Sequence, residues 1–507
     1  MSRQVRVELQ PLGETFEVEA GTPLQDVLFA HGVEFPCGGR GLCKGCRVKV
    51  LQGSLPSTPE QERVLGRTGI DEGWRLSCQN SADENLTLEV AQWEATILGD
   101  HSKFNFTPRE GLGVAIDLGT TTLVAQLLDL RTARVMAVRS ALNPQARHGA
   151  DIMSRIDFAV ARGGHRELEQ LIRARLGRLV SELISAAKVR ADDLRHVVIV
   201  GNTVMHHLFC GASLEPLSRS PFETDQDGLR RFRANELGWN VGGNPAIRFL
   251  PCLGSFVGSD ILAGILTARI HESEELVGLV DLGTNGEIVI GNRERMVCAS
   301  TAAGPAFEGA RISMGMRAST GAISEVHAEA GVLRCHVIGN GVARGICGSG
   351  LVDAAAAALE LGLLRESGRL ADERGHLSLR DSVVLTQTDI RELQLAKGAI
   401  AAGIRIVLKQ FSAEPSALKR LHLAGAFGNY LNLASARRIG LINFPEEIIQ
   451  PAGNSALLGA KLALFTHHDD DGSYRQIRER IAHHSPNEDA SFQDLYVEHM
   501  GFPAFAT

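Results

Sequence analysis

Four cysteines near the start of the chain have the types and spacing of a metal centre. Cys37, Cys43 and Cys46 lie within ten residues, with four glycines among them. Small residues let backbone N–H groups approach a cluster and donate hydrogen bonds to its sulfur atoms. A fourth ligand must come from farther along, and Cys78 is the next cysteine. The pattern predicts an iron–sulfur cluster. The alternative is a four-cysteine zinc site, although zinc sites usually have two Cys-x2-Cys-like pairs.

The residues around these cysteines predict a small β-grasp domain over residues 1–95. Alternating apolar residues indicate strands near residues 5–9, 16–18, 47–50 and 86–90, with a helix around residue 24 after the second strand. The segment resembles the [2Fe–2S] ferredoxins of the plant and vertebrate types. Five residues separate its first two cysteines, one more than in the plant pattern, as in the adrenodoxin-like branch. The resemblance implies that all four cysteines bind a [2Fe–2S] cluster.

Residues 96–111 predict a linker, because they have no apolar period and contain Gly99, Pro108 and Gly111. A net charge of −7 and a pI near 6.2 argue against nucleic acid as the main partner. No apolar run is long enough to span a membrane, and the nine cysteines include a metal-like set. We therefore predict a cytoplasmic protein whose cysteines serve ligation rather than a disulfide framework.

Two matched hairpins after the linker predict a nucleotide site. The sequence Asp-Leu-Gly-Thr occurs twice, at 117–120 and 281–284, each time between apolar strands. A Gly-Thr turn offers backbone N–H and hydroxyl donors to phosphate, and an Asp at the strand end can hold Mg²⁺. Two copies favour two similar halves that close on one nucleotide, rather than two unrelated hairpins. The predicted loop residues are Gly119, Thr120, Thr121, Thr122, Gly283, Thr284 and Asn285.

Further small-residue turns follow apolar strands and can approach a base or ribose closely. They contribute the other predicted nucleotide-binding residues: Asn202, Gly304, Gly425, Ala426 and Phe427. The order of these loops resembles the superfamily of acetate and sugar kinases, heat-shock chaperones and actin. This resemblance implies a duplicated ribonuclease-H-like fold with halves at residues 112–275 and 276–465. Residues 466–507, with histidine pairs at 467–468 and 483–484, are interpreted as a solvated C-terminal tail.

A [2Fe–2S] domain joined to such an ATPase resembles the reductive activators of corrinoid proteins. The stretches 143–155, 304–310 and 395–400 also resemble that family. The resemblance implies an ATP-driven enzyme that reduces Co(II) of a corrinoid methyl carrier to Co(I). It further implies phosphate contacts from Thr120, Thr121, Thr284 and Asn285. Asp117 and Asp281 are expected to organise Mg²⁺ and water. Either Glu287 or Glu308 is expected to orient the attacking water.

Other functions remain open from the sequence. An ATP-driven donor to a different low-potential enzyme, a small-molecule kinase, or a chaperone-like ATP-gated module with a redox-sensing cluster would each use part of these motifs. The expected cofactors are a [2Fe–2S] cluster, ATP and Mg²⁺. The expected partners are a corrinoid protein and an upstream reductant, with neither nucleic acid nor membrane, and a homodimer is left open.

Overall fold

The computed structural model describes residues 3–10, 14–30, 41, 46–90, 106–149, 151–283, 285–309, 311–316, 318, 321–338, 341–428, 431–465 and 472–504. Its strands are β1 (Gln4–Gln10), β2 (Glu14–Glu19), β3 (Thr22–Pro23), β4 (Arg47–Gln52), β5 (Trp74–Leu76), β6 (Ser81–Ala82), β7 (Leu86–Val90), β8 (Leu112–Leu118), β9 (Thr122–Asp129), β10 (Val135–Leu142), β11 (Leu194–Gly201), β12 (Arg230–Arg233), β13 (Ala246–Phe249), β14 (Val277–Leu282), β15 (Gly286–Gly291), β16 (Met296–Thr301), β17 (Ala322–Glu329), β18 (Val332–Val337), β19 (Gly345–Ile346), β20 (His376–Ser378), β21 (Val384–Thr386), β22 (Arg420–Ala424), β23 (Ile449–Gly453) and β24 (Ile481–His483).

The helices of the described residues connect and cover these strands. They are α1 (Leu24–Ala30), α2 (Pro59–Leu65), α3 (Arg67–Asp71), α4 (Ile152–Val160), α5 (His165–Ala187), α6 (Thr203–Cys210), α7 (Ser259–Ala268), α8 (Gly348–Glu360), α9 (Gln387–Gln410), α10 (Gly425–Gly428), α11 (Leu433–Arg438), α12 (Ser455–Phe465), α13 (Gly472–Arg480) and α14 (Phe492–Met500). None of them is long and apolar enough to cross a bilayer.

The N-terminal domain is a five-stranded sheet in the order β2-β1-β7-β4-β5. Its strands alternate buried apolar and outward polar residues, as in β7, where Leu86, Leu88 and Val90 are buried. The order of strand, strand, helix, cysteine segment and strand predicted from the sequence is confirmed. Of the predicted linker, only residues 106–111 lie within the described residues.

The large part of the chain contains the same sheet twice. The first half has the order β10-β9-β8-β11-β13, and the second half has β16-β15-β14-β22-β23. In both, the first three strands pair antiparallel and the last two join in parallel. Each half adds one edge strand, β12 or β24. The predicted duplicated ribonuclease-H-like fold is therefore confirmed.

Helices α7 and α12 join the two halves. A side chain on Gly459 of α12 would collide with the backbone of Ala263 in α7, so glycine allows the helices to touch closely. Thr267 Oγ1 donates a hydrogen bond to the Ser455 carbonyl at 3.0 Å. Helix α7 precedes the second sheet and α12 follows its strand β23, so this crossing packs the two halves together.

The C-terminal segment differs from the expected solvated tail. Within residues 472–504, β24 pairs in parallel with β16, and α14 packs on α9. The polar sequence concealed this, because α13 buries only Tyr474 and Ile477. The pair at 467–468 lies outside the described residues, whereas His483 belongs to β24.

A buried lysine fixes the end of this segment. Lys397 of α9 is fully buried, and its Nζ donates hydrogen bonds to the carbonyls of His499 and Gly501. The ammonium also lies 5.2 Å from the ring centroid of Phe502. Cations are favourable at a helix C-terminus, where carbonyls lack partners within the helix.

Lys397→Met should loosen α14. Two partly buried carbonyls would lose their donor, which costs on the order of 1–3 kcal/mol. We expect amide hydrogen exchange within Phe492–Met500 to become correspondingly faster, with little change in β8. The control Lys419→Ala alters an exposed lysine and should leave exchange unchanged. Equal protection of α14 in wild type and Lys397→Met would contradict the assigned role.

Candidate nucleotide cleft and cluster site

The first predicted phosphate loop is held by side chains outside it. Asn143 Nδ2 donates to the Gly119 carbonyl at 3.0 Å, and its backbone N–H donates to the Thr121 carbonyl at 2.9 Å. Arg155 Nη2 donates to the Thr120 carbonyl at 2.6 Å. The carbonyl groups that would repel a phosphate are therefore engaged by protein donors.

Arg155 is the largest fully buried side chain of this region. Its Nε also donates to the Gly149 carbonyl at 2.9 Å, and its Nη1 donates to Gln145 Oε1 at 3.3 Å. Burial lowers its pKa to about 10, so the guanidinium stays charged near neutral pH. The sequence analysis placed Arg155 in a family-like stretch but gave it no role. A positive charge beneath the loop favours an anion above it.

Asn202 connects this loop to the next strand. It caps α6 by accepting a hydrogen bond from the Met205 N–H at 3.0 Å, and its Nδ2 donates to Thr120 Oγ1 at 2.8 Å. The contact brings together two residues that the sequence analysis had assigned to the nucleotide site. Thr122 lies at the start of β9.

The second loop is built on the same plan. Asp281 near the end of β14 lies directly opposite Glu287 on β15. The Gly283 N–H donates to the Asn285 carbonyl at 3.1 Å, and the Asn285 side chain hydrogen-bonds to Glu287. Thr284 lies outside the described residues.

A third turn closes against Asp281. Gly425 has φ +85°, and a Cβ there would lie 2.7 Å from Asp281 Oδ1, so this position requires glycine. Phe427 stacks on Phe307 with ring centroids 4.6 Å apart and planes tilted by 15°. The side chain of Ala426 lies outside the described part. Gly304 has φ +77° and open space where a side chain would be. These small residues leave room for a planar group beside the second loop.

Four acidic side chains gather between the two loops and influence one another. Asp117, Asp260, Asp281 and Glu287 are each only partly exposed. Burial, followed by the charges of Asp281 and Asp117, raises the pKa of Asp260 to about 7. Burial and then Asp117 raise the pKa of Asp281 to about 7. Burial raises the pKa of Asp117 to about 6, against the lowering effect of the Asn454 hydrogen bond.

Glu287 is the most strongly affected acid of this group. Burial, then the charges of Asp260 and Asp281, raise its pKa well above the usual range. Glu308 is exposed on the 3₁₀ turn Pro305–Glu308, and it is not among the charges that raise these pKa values. Geometry thus separates the two acids between which the sequence could not choose.

Asp260 was missed by the sequence analysis. It follows Ser259 at the start of α7, where Oδ1 accepts the Ile261 N–H at 2.9 Å. A Gly-Ser-Asp sequence before an apolar run is a helix-start signal that could have drawn attention to it. Asn454 was also missed, although its Nδ2 donates to Asp117 Oδ2 at 2.8 Å.

The acids suit a divalent cation bound through its water molecules better than one that they coordinate directly. Among the described residues, no three His, Cys, Asp or Glu side chains converge on one metal position. Mg²⁺ usually keeps several waters and binds proteins through one or two carboxylates plus substrate phosphates. A cluster of carboxyls with raised pKa values is the donor set that such an ion would stabilise.

The described part of the cysteine site also fits its predicted cofactor. Cys46 is buried just before β4, and Cys78 follows β5. The Ser77 N–H and Oγ donate to the Cys46 carbonyl at 3.2 and 2.8 Å, which holds the two cysteine segments together. Gly41 has φ +71°, and a Cβ there would collide with the side chain of Gln79. Gly41 thus lies against the segment that carries Cys78, while Cys37 and Cys43 lie outside the described residues.

Other histidines and cysteines take structural roles. His206 and His207 are buried, and their rings hydrogen-bond to the Gly228 carbonyl at 3.1 Å and to the Thr203 carbonyl at 2.8 Å. Cys252, Cys298 and Cys347 are buried, and Cys210 and Cys335 are half-buried.

The acids predict a characteristic pH dependence of stability. A carboxyl with a raised pKa stabilises the fold at low pH and loses this contribution as pH rises through the folded-state pKa. Relative to wild type, Asp260→Asn should gain thermal stability from about pH 4 to 7 and keep a constant advantage above that. The comparison is made without nucleotide or Mg²⁺. Buried His206 and His422, with pKa values lowered to about 3 and about 4, titrate oppositely but cancel in the difference.

The matched control is Asp225→Asn, which neutralises an exposed aspartate. Its melting temperature should follow the wild-type value at every pH. A pH-independent difference between Asp260→Asn and wild type would contradict a raised pKa at Asp260.

Family models match along most of the chain. Residues 7–82 match the 2Fe-2S iron-sulfur cluster binding domain. Residues 112–273 match the RACo middle region, and residues 275–507 match the C-terminal domain of RACo, described as the ASKHA domain. The matches meet between 273 and 275, near the predicted boundary of the two halves.

Relatives match over most of their length. The chain is 32% identical over 420 residues to the corrinoid activation enzyme RamQ of Eubacterium limosum, covering 77% of this chain and 70% of that protein. It is 28% identical to a [Co(II) methylated amine-specific corrinoid protein] reductase of Methanosarcina barkeri, covering 71% of both. A solved reductive activator for corrinoid, iron-sulfur protein superposes with a TM-score of 0.69 at 25% identity, over 98% of both chains. The chain therefore belongs to the RACo family of corrinoid-protein activators.

Proposed function

We propose that this protein is an ATP-dependent reductive activator that returns a corrinoid methyl-carrier protein from Co(II) to Co(I). The observation that carries the proposal is the group of four acids between two matched phosphate loops, in a chain that also has a [2Fe–2S] domain. The names of its relatives support the corrinoid as acceptor. The cluster, when bound by Cys37, Cys43, Cys46 and Cys78, would supply one electron.

The need for ATP follows from the energetics. Plant-type clusters have potentials near about −400 mV, and Co(I) is a strong reductant, so the transfer is expected to be uphill. A nucleotide can favour a productive state only by binding it more tightly than the alternative. The two loops lie on separate sheets, and only a closed cleft would let both contact one nucleotide. The closed state would therefore bind the nucleotide more tightly than the open state.

The loops have distinct parts in this proposal. Thr120, Thr121, Thr284 and Asn285 would donate to phosphate oxygens, while Arg155 and Asn143 hold the first loop in shape. The turn at Gly425–Phe427, together with Gly304, would receive the adenosine. Asp117 and Asp281 would hold Mg²⁺ through its waters, which offsets the charge of the phosphates.

We assign to Asp260, rather than to Glu287 or Glu308, the role of orienting the attacking water and accepting its proton. Burial and the charges of Asp260 and Asp281 raise the pKa of Glu287 well above its usual range, which makes it a poorer proton acceptor in the nucleotide-free protein. Glu308 is exposed and outside the group. Asp260 has a pKa of about 7, which suits a group that accepts a proton near neutral pH.

Asp260→Asn should slow ATP hydrolysis by on the order of 10²-fold, the usual contribution of a positioned acid or base. ATP binding and the cluster absorbance should be retained. Phosphate release under saturating MgATP measures the rate, and Asp225→Asn is the control. An unchanged rate would contradict this role for Asp260 and would favour Glu287 as the residue that orients the water.

The complete activity can be followed by the absorbance of Co(I). Chemically reduced protein, MgATP and a Co(II) corrinoid carrier should give Co(I) only when ATP is present. Absence of ATP-dependent Co(I) with several carriers would contradict the proposal. A redox-sensing chaperone would instead hydrolyse ATP without forming Co(I).

Cys78→Ser should abolish Co(I) formation and spare nucleotide binding, because the two sites use separate domains. The control Cys335→Ser replaces a half-buried cysteine of β18 and should keep both activities. Loss of nucleotide binding in Cys78→Ser would contradict the division of labour. We also propose a cytoplasmic location, because a reducing compartment keeps such thiolates available to the cluster.

A further inference from the structure

The segment that carries three of the four cluster cysteines is strongly basic. Between Pro36 and Pro59 there is no Asp or Glu, although the net charge of the whole chain is −7. The same segment contains four cations: Arg40, Lys44, Arg47 and Lys49. Positive charge is therefore concentrated where electrons must enter or leave.

Two of these cations lie on the described strands next to the cluster site. Arg47 directly follows Cys46 on β4, and its register partner on β5 is Leu76, two residues before Cys78. Lys49 is opposite Trp74 in the same ladder. Strand β5 is the edge strand of the sheet, so no further strand of this sheet lies beyond Trp74.

Trp74 holds both cations in place. The Arg47 guanidinium lies 5.4 Å and the Lys49 ammonium 5.7 Å from the indole ring centroid. All three side chains remain partly exposed. The acid nearest in the ladder is Glu89, opposite Lys49 on β7, and Lys49 lies over the indole. The result is a fixed basic and aromatic surface, which we call the Trp74 patch: Arg47, Lys49 and Trp74.

We propose that the Trp74 patch is the docking site for the upstream reductant, a small acidic one-electron carrier protein. This inference rests on the proposed function, because it assumes that the four cysteines bind a redox cluster. Fixed positive charges raise the encounter rate with an acidic partner by 10–10³-fold. Redox encounters bury little surface, so three side chains at a sheet edge can form a substantial part of such an interface.

The donor fits this patch better than the corrinoid acceptor does. Every patch residue belongs to the ferredoxin domain, whereas the nucleotide loops belong to the other domain. A donor can therefore use it in any nucleotide state. The acceptor must instead respond to ATP and needs contacts that change with the nucleotide. In the step itself, the reduced carrier loses one electron and the oxidised cluster gains it, with no bond formed or broken.

The test measures cluster reduction without any corrinoid. Oxidised holoprotein is mixed anaerobically with reduced flavodoxin, an acidic one-electron carrier, and the cluster absorbance is followed by stopped flow. Lys49→Glu should lower the second-order rate constant about tenfold at low salt, and the difference should shrink as salt screens it. Trp74→Ala should lower the rate as well, because it releases both cations.

The control is Arg6→Glu, which makes the same charge change at an exposed position of β1, two strands from β4. It should reduce at nearly the wild-type rate. Cluster content and midpoint potential are measured for each variant, so that a damaged cluster is recognised. Equal rates for Lys49→Glu and wild type, or equal losses for Lys49→Glu and Arg6→Glu, would overturn the proposal.

A second readout identifies the partner. With dithionite-reduced protein and MgATP, Lys49→Glu should form Co(I) at the wild-type rate. A normal flavodoxin rate with slow Co(I) formation would move the corrinoid protein to the patch and overturn the donor assignment. Failure of Co(I) formation in wild type would contradict the proposed function alone, since the flavodoxin assay contains no cobalt.

Discussion

Partial burial, reinforced by the charges of neighbouring carboxylates, constrains four acids on which the nucleotide cleft of this protein depends. Asp117, Asp260, Asp281 and Glu287 come from four different elements: β8, α7, β14 and β15. Without a cation, raised pKa values limit the charge that this cleft can hold. A divalent ion with its nucleotide would restore the ionised forms. The fold thus uses like charges, otherwise destabilising, to make the cleft depend on its ligand.

Duplication explains how these acids meet. Asp117 and Asp281 occupy the same place in two sheets of identical order, each beside the central parallel strand. The repeated Asp-Leu-Gly-Thr sequence was sufficient to predict both loops, because a turn between two buried strands has few possible shapes. The cysteine spacing was equally informative, since few chemistries need three thiolates within ten residues.

The residues that sequence reasoning missed share a physical cause. Asp260 influences Asp117 through its charge and Asn454 through a hydrogen bond, and both come near Asp117 only when segments distant in the chain have folded together. Arg155 lies in a polar stretch, yet it is fully buried because three oxygen acceptors replace water around its guanidinium. The C-terminal segment looked solvated because its few buried residues, such as Tyr474 and Ile477, are spaced among charges. Periodicity reports a continuous apolar face, and none of these features has one.

Contacts around Asp117 connect the acids to the two helices that join the halves. Asn454 donates to Asp117 and also accepts the Leu457 N–H at 2.7 Å, so it caps α12. Helix α12 crosses α7, whose first turn carries Asp260. A cation that changes the charge of Asp117 and Asp260 therefore acts on the starts of both connecting helices. In the proposed cycle, binding can close the cleft only if the closed arrangement holds the cation and nucleotide more tightly than the open one, and these two helices are where that difference would act on both halves.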